Sequence, residues 1–210
     1  RARPGLHLVL NAGGPAMTLL FDTDGVRGVA LGEAELPRLQ AFFEANPTYF
    51  ETVNGSPVRP DEARQEFDDL PPPEMPFRQR WIIGLEEPGG QLQGIAIVLA
   101  DFIVPAVWHV ALFIVDTTLH GSGVAGRAYR ALEDWMRGQG ANWLRLGAVV
   151  GNARAERFWP KMGYHEVRRR HGMQTGLKTS TVIVFVKPLG GRSLDDYLGR
   201  MARDRPDEAP

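Results

Sequence analysis

The chain has 210 residues, a formal net charge of −1 and no cysteine. A charge so close to zero gives no global attraction to nucleic acid or to an anionic membrane, so neither partner is expected. Without cysteine there is no disulfide, no thiolate metal ligand and no cysteine nucleophile, and no metal is expected.

Residues 1–16 are expected to be a peripheral or non-native extension. Leu6, Leu8, Val9 and Leu10 make too short a run for a signal-peptide core, and Met17 opens the sequence that behaves like a domain. Residues 26–31 read as a first strand. Residues 35–45 read as a helix, with Pro37 in its first turn and Leu36, Leu39 and Phe43 on one face. Asn46-Pro47 ends it, and Tyr49, Phe50 and Glu51 follow in a loop. A second short helix is predicted over residues 60–70, stopped by Pro71-Pro72-Pro73. Residues 81–86 and 92–102 read as strands joined by the hairpin turn Glu87-Pro88-Gly89-Gly90. The apolar stretch 94–115 is long enough to suggest a membrane span. Asp101, Pro105 and His109 interrupt it, and it divides into two buried strands.

The second of these strands, residues 108–115, leads into the stretch that organises the chain. Leu112 to Val115 is a continuous apolar run, as for a strand covered on both faces. Asp116, Thr117 and Thr118 suit a turn, and Gly121, Gly123 and Gly126 stand where a helix begins. Val124, Ala128, Ala131, Leu132 and Trp135 form its apolar stripe, while Arg127, Arg130, Glu133, Asp134 and Arg137 face away. Glycines at a helix start let a ligand reach amides that lack partners in the chain, which makes an anion site. Such a turn serves a dinucleotide, a nucleoside triphosphate or coenzyme A. No Lys-Ser/Thr pair follows the glycines, so the Walker pattern fails, and no clean βαβ unit with an acidic ribose ligand supports a dinucleotide.

Residues 143–149 read as the strand after this helix. Asn152 opens the segment NARAERFWPKMGY, with a short helix from residue 153 to about 159. Pro160 is expected to end or kink it near Phe158 and Trp159. Residues 164–171 and 182–187 read as closing strands joined by 177–181. A last helix is predicted over 193–201, followed by a frayed acidic tail. One domain is therefore expected over residues 17–189, with a C-terminal helix and tail over 190–210.

Two segments together, His120-Gly121-Ser122-Gly123-Val124-Ala125 and Asn152-Ala153-Arg154-Ala155-Glu156-Arg157-Phe158-Trp159-Pro160-Lys161-Met162-Gly163-Tyr164, resemble the GNAT superfamily of acetyl-CoA-dependent N-acetyltransferases. The first is similar to that family's Q/R-x-x-G-x-G/A pyrophosphate loop and the second to its N-x-x-A-x-x-F-Y-x-K-x-G-F segment. Their order and separation match, and the likeness runs over about residues 26–187. It implies the GNAT fold, of α/β (α+β) class: a mixed central sheet of about six to seven strands, splayed at the cofactor site and flanked by about four helices.

The resemblance further implies an enzyme that transfers acetyl from acetyl-CoA to a primary amine, expected to belong to a small molecule. A non-catalytic acyl-CoA-binding or partner-binding module on the same fold is the alternative. It implies pyrophosphate binding by the amides of the loop from His120 through Gly121, Ser122, Gly123, Val124 and Ala125 to Gly126. It implies pairing of the pantetheine arm with Phe113, Ile114 and Val115, and an oxyanion donor at the amide of Leu112 or Phe113. Asn152 reads either as a contact to that arm or as a helix cap. Ala155, Phe158 and Trp159 complete the cofactor side, and Arg154, Arg157 and Lys161 read either as partners for the 3′-phosphate or as a solvated face. His109 reads either as the proton acceptor or as a satisfied core histidine beside Trp108. Tyr49, Phe50 and Trp81 are the candidates for the acceptor pocket. Trp159 stands where the family has a tyrosine that protonates the leaving thiolate, so that proton would come from water or from Tyr129 or Tyr164. A cytoplasmic location is expected, and homodimers are common on this fold.

Overall fold

A computed structural model describes residues 18–206. The extension over 1–16 and the last four residues lie outside the described residues. One eight-stranded sheet runs through the molecule in the order β1-β2-β3-β4-β5-β6-β8-β7. The strands are β1 (Thr18–Thr23), β2 (Val26–Ala30), β3 (Gln79–Glu86), β4 (Leu92–Ala100), β5 (Val107–Val115), β6 (Trp143–Val149), β7 (His165–Thr175) and β8 (Lys178–Pro188). The helices are α1 (Leu36–Ala45), α2 (Thr48–Val53), α3 (Glu62–Asp68), α4 (Val124–Gly138), α5 (Ala153–Lys161) and α6 (Leu194–Arg200). No described helix is long and apolar enough to cross a membrane.

Strands β1 to β5 form an antiparallel meander, and β6 joins β5 in parallel after the crossover through α4. A parallel neighbour needs such a crossover, because both strands must start from the same end. Helices α4 and α5 cover one face of the sheet, where Val110, Tyr129, Leu132, Leu146, Trp159 and Phe185 share a core. On the other face, α1 to α3 pack Leu39, Phe43 and Phe50 onto Ile95, Ile97, Leu112 and Ile114. Beside them, α6 seals Val107, Trp143 and Val186 with Tyr197 and Met201.

Several sequence expectations are corrected. The sheet has eight strands, because β1 precedes the first predicted strand. Its hairpin turns at Asp24-Gly25, both with positive φ (51° and 73°), as an Asp-Gly pair between strands favours. Six helices form where about four were expected. Tyr49, Phe50 and Glu51 lie in α2, where Phe50 is fully buried against Phe43 with ring centroids 5.0 Å apart. Helix α5 runs through Pro160 to Lys161. The proline sits exposed in the last turn and forgoes one helix bond, the one its missing N–H would donate to Glu156 O. The turn then closes with Met162 N donating to Phe158 O and Tyr164 N donating to Trp159 O. Residues 178–181, expected in a connection, belong to β8, so β7 and β8 form one long hairpin. The described part of the C-terminal segment is built into the fold, since Ser193 caps α6 and Asp204 is fully buried; residues 207–210 of the tail expected to fray lie outside the described residues.

Candidate functional site

The site begins with a mismatch between two strands. Strand β5 pairs with β6 only from Val107↔Trp143 to Val110↔Leu146. Beyond Val110 the strands part. At the same point β5 carries a bulge: Leu112 lies opposite Ile97 and Val110 opposite Val98, which leaves Ala111 without a partner in register. A bulge adds a residue to one strand and bends it. The opened wedge is the head of a cleft of about 530 Å³. One wall is Val110 to Val115, and the other is Leu146 to Val149. Strand edges that part in this way leave backbone donors and acceptors available to an extended ligand.

The cleft runs down to the glycine turn. Gly121 and Gly123 both have φ of +85°, and Gly123 is the N-cap of α4. A side chain would be strained at either position. The first backbone bond at the helix start is donated by Arg127 N to Gly123 O, 3.2 Å. Of the amides before it, Val124 N donates to Ser122 Oγ at 3.4 Å, and Ala125 and Gly126 line the cleft end at the positive pole of the helix. Gly121, Gly123, Ala125 and Gly126 line the cleft, whereas Ser122 and Val124 do not. Ser122 Oγ instead donates to Leu119 O, and Val124 is buried.

His120 also lines the cleft. Its Nε2 lies 3.1 Å from Val115 O, to which an N–H at that atom donates. Its Nδ1 is buried without a partner. With the proton on Nε2, Nδ1 is left as an acceptor. Asn152 does what an N-cap does, its side chain accepting from Ala155 N at 3.1 Å, and it lines the cleft as well. Ala155 and Phe158 lie beside it, with Arg154, Arg157 and Lys161 at the exposed rim.

The inner end of the cleft is aromatic. Phe113 lies nearly parallel to Phe158, with centroids 5.9 Å apart, and 5.8 Å from the Trp159 ring. Trp159 is only 7% exposed, and its ring also meets Tyr129 at 5.2 Å and Tyr164 at 5.3 Å. Those two tyrosines join hydroxyl to hydroxyl at 2.5 Å behind Trp159 and do not line the cleft. Burial pushes both phenols well above the ordinary tyrosine range, which makes them poor proton donors.

A further part of the cleft is lined by α2. Thr48, Tyr49, Thr52 and Val53 line it together with Asn46 and Thr117. Asn46 Oδ1 accepts from Thr117 N at 2.7 Å and from its hydroxyl at 2.9 Å, tying the α1–α2 corner to the end of β5. The β7–β8 hairpin reaches across to α2. Leu177 N donates to Asn54 O at 2.8 Å, and Lys178 Nζ to the carbonyls of Glu51 and Thr52 at 3.0 and 3.1 Å. Burial, with Glu66 nearby, raises the Tyr49 phenol. Glu66 is itself pushed up to about 7, first by burial and then by Glu62 and Asp69. The sequence reading passed over Glu66, since nothing local marks one carboxylate among the several on α3.

Three sequence candidates lie elsewhere. His109 does not face the cleft. Its ring stacks on Phe102 with centroids 4.6 Å apart, and its Nδ1 lies 3.1 Å from Arg145 O and 3.3 Å from Arg145 Nη1. Burial and the Arg145 charge lower it to about 3. That is a half-buried histidine, neutral at working pH and outside the cleft lining, which argues against the proton-acceptor reading. Phe50 is core, as described above. Trp81 stacks on Trp108 at 5.3 Å and meets Trp135 edge-on at 5.3 Å, outside the cleft lining. Among the described residues no cluster of His, Cys, Asp and Glu could hold a metal ion.

Comparison with known proteins agrees with this geometry. The pattern of the Acetyltransferase (GNAT) family matches residues 39–164, more than half of the chain. A GCN5-related N-acetyltransferase from Kribbella flavida superposes with a TM-score of 0.58 at 18% identity, over 80% of this chain and 100% of that one. The ribosomal-protein-S18-alanine N-acetyltransferase from Escherichia coli gives 0.54 at 16% identity, over 80% and 96%. RimL, a ribosomal L7/L12 alpha-N-protein acetyltransferase, gives 0.65 at 11% identity, over 86% and 99%. At these identities the likeness is one of fold. No curated protein sequence matches the chain.

Proposed function

The chain belongs to the GNAT acetyltransferase family, and from that premise we propose that it moves the acetyl group of acetyl-CoA onto the primary amine of a small molecule in the cytoplasm. The observation that carries the proposal is the splay of β5 from β6 above a glycine turn at the start of α4. A parted strand edge suits an extended amide-bearing arm, and a helix N-terminus suits a pyrophosphate. The Arg154, Arg157 and Lys161 rim suits further phosphate oxygens. These donors fit acetyl-CoA.

When bound, acetyl-CoA supplies an activated acyl carbon and a thiol leaving group. The chain's part is to hold, orient and stabilise. The amides of Gly121, Gly123, Ala125 and Gly126 would hold the pyrophosphate, and the β5 edge over Phe113, Ile114 and Val115 would hold the arm. An amide beside the Ala111 bulge, at Leu112 or Phe113, would donate to the developing oxyanion. The cleft lining contains no carboxylate, so the acceptor amine would lose its proton to water.

The acceptor end favours a compact amine. Helix α2 lines it through Thr48, Tyr49, Thr52 and Val53, and the β7–β8 hairpin is tied to α2 by three hydrogen bonds from Leu177 and Lys178. The two ribosomal-protein acetyltransferases of similar fold make a peptide amine the second reading. Melting curves with and without acetyl-CoA test the cofactor. At about 100 times the dissociation constant a native-state ligand adds about 2.7 kcal/mol, and a midpoint rise of roughly 5–10 °C is expected. ATP and NAD should give none. Thiol release with a panel of small amines and of short peptides then tests the acceptor. Release with peptides alone refutes the small-molecule reading, and binding without release to any amine identifies a binding module.

A further inference from the structure

Trp159 is held on several sides and open on one. Phe113, Tyr129, Phe158 and Tyr164 all meet its ring, between 4.9 and 5.8 Å from centroid to centroid. The residue lines the cleft. Its indole N–H donates to no described group, yet it is absent from the sealed polar atoms left without partners, which are His120 Nδ1, Arg170 Nε and Arg203 Nε. The N–H is therefore not sealed in the core, and the space that Trp159 borders is the cleft. That space lies at the head of the cleft, between the parted strands and next to Phe113. A fixed N–H donor in an aromatic surround is an expensive group to leave unused and a strong one toward an anion.

The geometry points to Trp159 as the hydrogen-bond donor to the leaving sulphur of the cofactor, so that the thiol departs as a hydrogen-bonded thiolate without receiving a proton from the enzyme. This rests on the acetyl-CoA reading above. The amine nitrogen forms the new bond to the acyl carbon, and the electron pair of the broken carbon–sulphur bond stays on sulphur. The amine's proton goes to water, and Trp159 keeps its own. An indole offers a hydrogen bond but no acid at any working pH. Tyr129 and Tyr164 cannot replace it, since their hydroxyls bond each other away from the cleft. Stabilisation without protonation follows: a donor to the charged form lowers the pKa of the group it touches.

The test reads the thiol of CoA itself, with no turnover. Bound CoA is titrated by the ultraviolet absorbance of its thiolate, on wild type and on Trp159→Phe, which keeps a ring and loses the N–H. The thiol should titrate about one to two pH units lower on wild type than on the variant, the size of a charge-assisted hydrogen bond. Above the thiol pKa, CoA affinity should fall about tenfold or more in the variant. An analogue lacking the sulphur should bind both proteins alike. In nitrogen-labelled wild type, the Trp159 indole proton should move downfield with CoA at high pH and stay in place with the sulphur-free analogue. The last readout needs no variant beyond the one used for assignment, so a folding defect in Trp159→Phe leaves the proposal exposed. Equal thiol titration on both proteins, or an unmoved indole proton while CoA binds, overturns the Trp159 role alone. Failure of wild type to bind either CoA or the analogue overturns the cofactor reading on which it rests.

Discussion

Replacing His109 with glutamine separates a structural histidine from a catalytic one. In the fold its imidazole is packed on Phe102 and set against Arg145, and it is lowered from the ordinary histidine value of 6.5 to about 3. A lowered histidine pKa means that the unfolded chain takes up a proton between pH 6.5 and 3 that the folded chain refuses. Stability must fall as pH drops through that window and must be insensitive to this group above it. At pH 5 the window is open by about 1.5 units, which is roughly 2 kcal/mol at 1.36 kcal/mol per unit. For a chain of this size that is about 4–8 °C in midpoint. The assay compares the change in melting temperature from pH 7.5 to pH 5 for wild type and His109→Gln. The difference of slopes removes the contributions of other histidines and of the lost hydrogen bond itself. Wild type should lose about 4–8 °C more than the variant. Acetyl transfer by the variant should keep the pH profile of wild type, with kcat reduced only as far as the lower stability dictates. A variant that melts like wild type at both pH values, yet loses about a hundredfold in kcat together with the acid limb of the profile, would refute this reasoning and restore His109 as a base.

Asp204 should be the costliest single charge to remove. Burial acts to raise it, but Arg145 at 2.7 Å, the Tyr197 hydroxyl and Arg170 outweigh burial and hold it well below the usual carboxylate range. Asp204→Asn leaves two buried guanidiniums facing an amide and should cost about 3–5 kcal/mol, read as a fall in midpoint. In wild type this contribution is complete above about pH 4 and is lost only in strong acid. Glu66 has the opposite sign. Its pKa is raised to about 7, so the fold loses stability as pH rises from about 4.3 to 7, and Glu66→Gln should be more stable than wild type at pH 8 by about 1–2 kcal/mol after allowance for solvent screening. Equal melting of the two at pH 8 would contradict that burial. Gly123→Ala places a side chain at φ +85° and should cost about 1–2 kcal/mol while weakening acetyl-CoA more than an equally destabilising change in α6. Joint replacement of Arg154, Arg157 and Lys161 by alanine should weaken acetyl-CoA in a salt-dependent way and leave dephospho-CoA nearly unaffected. Equal losses for the two ligands would place the 3′-phosphate elsewhere.

Where local chemistry decided the outcome, the chain was readable. The apolar run into β5, the glycines at the start of α4, the stripe on that helix and Asn152 as a cap each rest on neighbours in sequence, and each is found in the structure. Glu133, expected to face away, is instead buried on α4 and paired with Lys187 at 2.7 Å. The family likeness had the same footing, two short segments with defined backbone tasks. What escaped depended on distant partners. Tyr49 and Phe50 stand side by side on α2, yet one lines the cleft and the other fills the core, because only the packing of α1 against the sheet tells the two faces apart. Asp204, near the C-terminus, looks like tail until Arg145 of β6 and Arg170 of β7 are brought to it. Trp81 is one of several aromatic residues suited to a pocket, and its stacking on Trp108 of β5, across the intervening β4, assigns it elsewhere.

His109 shows how one residue of register changes a function. Strict alternation along β5 would put His109, Ala111 and Phe113 on one face, and Phe113 does reach the cleft. The bulge at Ala111 breaks the alternation. Before it, Trp108 and Val110 face the α4 side; after it, Phe113 takes that side while Leu112 and Ile114 turn to α1. His109 is therefore on the face opposite Phe113, against Phe102 and Arg145. A slip of one residue exchanges the faces of a strand, and no residue in the run Val107 to Val115 announces it. The bulge coincides with the end of β5–β6 pairing at Val110. The feature that opens the strands for an acyl donor is thus the one that turns the histidine of β5 away, and the two cannot be had separately. A chain that kept the bulge and needed an enzymatic base would have to bring it from the α2 side of the cleft, where Tyr49 now stands in front of Glu66.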